Sequence, residues 1–126
     1  MTGTSELVVG EEHTAPSIGS GKVRVLATPV MINLIEAAAL AAIERLLPAG
    51  YQSLGTHLDV RHLAATPVGM KVTATAEVTK VDDRTVFFRV NARDEIDLIG
   101  DGSHERVVVN VAKFDQRVQR KLKGGS

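Results

Sequence analysis

From Val25 to Ile43 the chain runs nineteen residues with a single charge, Glu36, set within Pro29-Val-Met-Ile-Asn-Leu-Ile-Glu-Ala-Ala-Ala-Leu-Ala-Ala-Ile43. Ala and Leu are strong helix formers, and apolar side chains recur here at three- and four-residue spacing, so the stretch predicts a helix. Thr28-Pro29 marks its start. A threonine hydroxyl can accept a hydrogen bond from an orphan amide of the first turn, and proline lacks a donor that would go unpaired there anyway. Leu47-Pro48-Ala49-Gly50 marks its end. A helix apolar nearly all round is enclosed by the rest of the fold. The uninterrupted apolar runs on either side of Glu36 fall far short of the ~20 residues that a bilayer span requires.

Glu36 is the exception within this helix. Ile32 lies one turn before it and Leu40 one turn after, and Ile43 continues the stripe, so its carboxylate points where aliphatic side chains point. A charge in that position must be paired, hydrogen-bonded or neutralised.

With 126 residues, 44% of them hydrophobic, the chain is expected to form one domain with a genuine core, spanning about 8–114 and followed by a polar, basic tail over 115–126. Fifteen basic residues balance fifteen acidic ones, and there are only four aromatics, which argues against a nucleic-acid partner. The absence of cysteine excludes disulfides, thiolate chemistry and Cys-based zinc sites. The first twenty residues show no secretory pattern, so the expected location is cytoplasmic, without a membrane partner.

Alternation organises the rest of the chain. Met1 to Ser5 reads as a frayed end, Leu7-Val-Val9 as a short strand, and Ala15 to Lys22, with Pro16, Gly19, Ser20 and Gly21, as a loop. Between Tyr51 and Ala65 alternation separates two faces, a core face of Leu54, Thr56, Leu58, Val60, His62 and Ala64 and a mostly polar one of Gly55, His57, Asp59, Arg61 and Leu63. Met70 to Val81 places Val72, Ala74, Ala76 and Val78 together, and Arg84 to Arg93 does the same for Val86, Phe88, Val90 and Ala92. Turns are expected at Thr66-Pro-Val-Gly69, Asp82-Asp83 and Asp94 to Asp97, then a long strand from Leu98 to Phe114. Gly124-Gly-Ser126 reads as a disordered tail. The predicted class is α+β: one long central helix wrapped by an antiparallel sheet of about five strands.

Two ionisable groups then fall on facing apolar surfaces, Glu36 on the helix and His62 on the strand, so the two are expected to be coupled, either as a structural buried pair or as a site. Thr28 is explained by helix capping alone; in a straight helix it lies about 12 Å along the axis from Glu36, too far for a direct hydrogen bond. Ser103-His104-Glu105 fails as a triad, because neighbours in a strand point to opposite faces. His57, Asp59 and Arg61 read as a solvated ladder, and Glu11-Glu12-His13 lacks a metal-ligand spacing. Arg106 shares a face with Gly100, Gly102 and His104, where it stands either on the surface or against an anionic or carbonyl group.

These residues resemble the hot-dog fold acyl-CoA thioesterases, in particular the fluoroacetyl-CoA thioesterase-like branch. The similarity covers about 8–114. Its most specific parts are Leu26-Ala-Thr-Pro29 leading to Glu36, Ser53-Leu-Gly-Thr-His57 through Val60-Arg-His62, Ala65-Thr-Pro-Val-Gly69, and Ile99-Gly-Asp-Gly-Ser-His-Glu-Arg106. The resemblance implies a hydrolase whose Thr28, Glu36 and His62 carry the chemistry, with Gly55 and Arg106 contacting the acyl-CoA. It implies no separate cofactor and no metal, coenzyme A being part of the substrate. The fluoroacetyl-specific branch carries phenylalanines in a lid before the helix, whereas Ala15 to Ala27 contains no aromatic residue, so a different short, branched or aryl acyl group is at least as well matched. A non-catalytic acyl-CoA binding or sensing module and a hot-dog dehydratase acting on 3-hydroxyacyl thioesters are the alternatives. A sheet wrapped on one helix leaves an edge strand and an apolar flank, so a homodimer, or a dimer of dimers, is expected, with the site at the interface.

Overall fold

The computed structural model describes residues 1–124. The chain forms β1 (Thr2–Val8), the short α1 (Ala15–Ile18), the long α2 (Thr28–Ile43), β2 (Tyr51–His62), β3 (Lys71–Asp82), β4 (Thr85–Arg93), β5 (Leu98–Asn110) and α3 (Val111–Leu122). The strands make one antiparallel sheet in the order β1-β3-β4-β5-β2, wrapped about α2 as expected. No described helix is long and apolar enough to cross a membrane.

The core lies between α2 and the sheet. Met31, Leu34, Ile35, Ala38, Ala39 and Ala42 meet Val72, Ala74 and Ala76 of β3 and Val86, Phe88, Val90 and Ala92 of β4, the alternation read in the sequence. Small residues set the distance between layers. A Cβ on Gly3 would collide with the Ala38 carbonyl and the Ala42 amide, so β1 runs against the backbone of α2 itself. The first residues are therefore not frayed: β1 pairs with β3 from Thr2 to Val8, and its contact with α2 ties it down. Alternation is hard to see there because Thr2, Gly3, Thr4 and Ser5 carry almost no apolar signal.

Two further expectations are corrected. The strand expected to reach Phe114 stops at Asn110, whose side-chain oxygen accepts a hydrogen bond from the Lys113 amide at 3.1 Å and so caps α3. The basic stretch Asp115 to Lys123 falls almost wholly within that helix. Of the expected tail Gly124-Gly-Ser126, positions 125 and 126 lie outside the described residues.

The second correction concerns β2. Its pairing with β5 slips by one residue, so that Gly55 opposes Arg106 and His57 opposes Glu105, leaving Thr56 as the extra residue of a bulge. Directly opposed residues share a face. Ser53 and Gly55 therefore point inward before the bulge, and Leu58, Val60 and His62 after it. Leu54 and Thr56, expected in the core, are exposed. α2 packs mainly on β1 and β3, at the far side of the sheet, which leaves the inner face of edge strand β2 thinly covered and Leu58 39% exposed.

Because no side chain fits between Gly3 and α2, Gly3→Val is expected to lower the unfolding free energy by about 1–3 kcal/mol, as overpacked cores do, with the midpoint in urea falling at constant slope.

Candidate functional site

Thr28 is the first residue of α2 and is exposed; Ala27 occupies the capping position, and no side chain caps the helix. The capping role expected of Thr28 is thus not the one it has. One residue into the helix, its hydroxyl is free for another partner, and Oγ1 lies 2.7 Å from Nδ1 of His62, the last residue of β2. The other ring nitrogen of His62, Nε2, is buried and has no hydrogen-bond partner among the described residues. Burial is the main influence on this imidazole and pushes its pKa below the ordinary 6.5, partly opposed by the backbone of Ala64.

Thr28 and His62 line one cleft of about 410 Å³, bounded by Ser20 to Val25 on one side and by Leu63 to Ala65 on the other. Both walls are held by backbone. The Ala15 amide donates to the Val25 carbonyl at 3.0 Å, and the Leu26 amide to the Thr66 carbonyl at 2.9 Å. The fully buried Thr66 hydroxyl donates in turn to Asp94 at 2.8 Å. Asp94 also accepts from the amides of Ile96 and Asp97 at 2.8 and 2.7 Å. Burial pushes the Asp94 carboxyl up, but these hydrogen bonds outweigh it and hold the pKa below its usual value.

Glu36 belongs to a second cluster. Its side chain is 37% exposed, on the flank of α2 beside the half-buried Ile32 and Leu40 rather than deep in the core. Its ionic partner within the chain is Arg106, not His62, with Oε2 and Nη1 3.5 Å apart. The expected Glu36–His62 contact is not made within one chain. Sequence facing cannot give axial position, and His62 sits at the end of its strand, opposite Gly100, while Glu36 faces the Gly55 region.

Arg106 is buried at 7% exposure, which settles the choice left open by its sequence context. Its Nε donates to the Ser53 hydroxyl at 2.8 Å and its Nη2 to the Ser53 carbonyl at 3.2 Å, while Nη1 donates to Nε2 of His104 at 3.2 Å. Burial pushes its pKa below the arginine norm, and the Glu36 carboxylate opposes that shift. Gly55 completes the cluster by lacking a side chain: a Cβ there would lie 2.5 Å from Glu36 Oε2. Sequence reasoning missed Ser53 and His104. His104 was visible on the Arg106 face, but Ser53 comes inward only because of the bulge.

The profile of the family described as fluoroacetyl-CoA-specific thioesterase matches residues 9–112. The chain belongs to that family. Fluoroacetyl-CoA thioesterase from Streptantibioticus cattleyicolor is 45% identical over 101 residues, 80% of this chain and 73% of the relative. A variant of the fluoroacetyl-CoA-specific thioesterase FlK, solved in complex with fluoroacetate and CoA, superposes with a TM-score of 0.88 at 39% identity, covering 94% of this chain and 97% of that one. A hot-dog-like protein from Thermanaerovibrio acidaminovorans superposes at 0.89 with 25% identity, over 100% and 93% of the two chains. The hot-dog fold expected from the sequence is therefore the fold observed, and the chain is a thioester hydrolase of this family.

His62 and His104 both have lowered pKa values, so each is neutral in the folded and unfolded chains well above pH 6.5. As pH falls through 6.5 the unfolded chain takes up protons first, and the folded state loses stability until the folded pKa values are passed. Titration of the ring protons by NMR should give midpoints below 6.5 for both residues, and unfolding free energy measured in urea should decline as pH drops from 7 toward 5.

Proposed function

We propose that this chain hydrolyses the thioester of a small acyl-CoA to the free acid and CoA, through Thr28, Glu36 and His62. The observation that carries the reading is the 2.7 Å hydrogen bond between Thr28 and His62 at an open cleft of about 410 Å³. A histidine kept neutral by burial can accept a proton from water or relay one to the leaving thiolate. Thr28, at the positive end of α2, holds the acyl carbonyl or stabilises the oxyanion that develops on it. Glu36 either orients the attacking group or itself adds to the carbonyl, expelling CoA thiolate and leaving a mixed anhydride that water cleaves. The relative solved with fluoroacetate and CoA supports acyl-CoA as the substrate class.

A homodimer would bring the two clusters together. β2 is an edge strand, and pairing it with its own copy would satisfy the unpaired backbone groups along that edge. Antiparallel pairing of the two β2 strands about their middle would carry His62 of one protomer toward the Gly55 end of the other, beside Glu36 and Arg106. That arrangement gives Thr28 and His62 from one chain and Glu36 from its partner a common substrate, bridging the gap of about 12 Å along one helix. The cleft wall from Ser20 to Val25 has no aromatic side chain to narrow it, which favours an acyl group larger than fluoroacetyl.

Release of free thiol from a panel of acyl-CoAs, with 3-hydroxyacyl-CoA among them, tests the reading. Hydrolysis is expected for at least one short, branched or aryl acyl group. Glu36→Ala and His62→Ala should each lower kcat by about 100- to 10,000-fold. Dehydration without thiol release would make the protein a lyase, and tight binding without turnover a sensing module. After a single turnover in ¹⁸O-water, label in the Glu36 peptide identifies the anhydride route. Light scattering at micromolar concentration should give twice the chain mass; a monomer would sink the composite site.

A further inference from the structure

His104 lies outside the residues to which the sequence assigned chemistry, yet both of its ring nitrogens are spoken for. It is fully buried on β5, its ring stacked on Phe88 with centroids 5.7 Å apart. Nδ1 lies 2.8 Å from the His57 carbonyl oxygen, which can only accept, so Nδ1 carries the proton. Nε2 lies 3.2 Å from Nη1 of Arg106, which can only donate, so Nε2 presents its lone pair. The two partners thus specify one neutral tautomer.

Arg106 is held on three sides. Ser53 takes Nε and Nη2 through its hydroxyl and its carbonyl, and His104 takes one hydrogen of Nη1. The remaining hydrogen of Nη1 is the one left for Glu36 at 3.5 Å. We infer that His104 is a positioning residue: its Nε2 lone pair fixes the rotation of the Arg106 guanidinium, and that rotation aims Nη1 at Glu36. The inference rests on the reading of Glu36 as a reacting group.

The surroundings favour the neutral ring. Burial is the main cause of its lowered pKa and the Arg106 charge adds to it, while the His57 carbonyl, Glu36 on α2 and the neighbouring Glu105 oppose. Phe88 on β4 adds no charge. A proton on Nε2 would set a donor and a positive charge against those of Nη1, and the guanidinium would have to turn away from Glu36.

Three substitutions separate this role from simple packing. In His104→Gln the amide oxygen can reach the place of Nε2 and accept from Arg106. In His104→Asn the amide nitrogen can replace the donor to His57, with nothing offered to Arg106. His104→Phe keeps the stacking alone. With oligomeric size and thermal unfolding checked for each, His104→Gln should retain kcat within about threefold, while the other two lose about ten- to a hundredfold with KM nearly unchanged, as expected for a misdirected reacting group. Equal losses in all three, or an Asn variant as active as the Gln variant, would overturn the inference. Imidazole ¹⁵N shifts of the unmodified protein read the tautomer directly, without recourse to turnover or to the folding of any variant: the Nδ1–H form of His104 is expected in the neutral ring at pH 8, and an Nε2–H form overturns the proposal. If the unmodified protein releases no thiol from any substrate, the reading of Glu36 as a reacting group fails, while the nitrogen shifts still decide whether His104 offers its Nε2 lone pair to Arg106.

Discussion

One extra residue in β2 determines which side chains can share the inside of this molecule. Gly55 and His62 are seven positions apart, so a regular strand would send them to opposite faces. The bulge at Thr56 restores the phase. It also turns Ser53 inward to hold Arg106 and leaves Leu54 in solvent. Without that slip Arg106 would lose two of its three neutral partners, and a buried guanidinium stripped of hydrogen bonds is costly.

The parts of the fold that were legible were those in which a period runs unbroken. α2 is dense in helix formers between clear boundaries, and β3 and β4 alternate over their whole length, so Val72, Ala74 and Ala76, and Phe88, Val90 and Ala92, were read correctly. The bulge defeated the same reasoning in β2, because counting in twos carries one wrong phase along the rest of the strand. β1 was hidden by small residues whose value lies in letting α2 come close. Nothing in the alternation of Val107, Val108 and Val109 announces that the strand gives way to α3 at Asn110.

The candidate site residues were legible as polar groups in apolar surroundings, and their mutual geometry was not. Glu36 and His62 each stand out in apolar surroundings, and each does have a polar partner, but the partners are Arg106 and Thr28. Facing surfaces specify which layers meet; they leave open where along the layers a contact falls. The separation has an electrostatic meaning. Glu36 is held next to a fixed positive charge, whereas His62 is matched with a neutral hydroxyl and kept uncharged by burial.

The wall of the cleft from Ser20 to Val25 is fastened at its base by main-chain hydrogen bonds and by the pairing of Arg24 with Glu11. The side chains of Lys22 and Val23 take no part in that fastening and are exposed. Replacing them therefore leaves the core, the Arg106 cluster and the Thr28–His62 contact untouched. Side chains at these two positions can change with little penalty in folding, so this wall is the part of the cleft whose shape the rest of the fold constrains least.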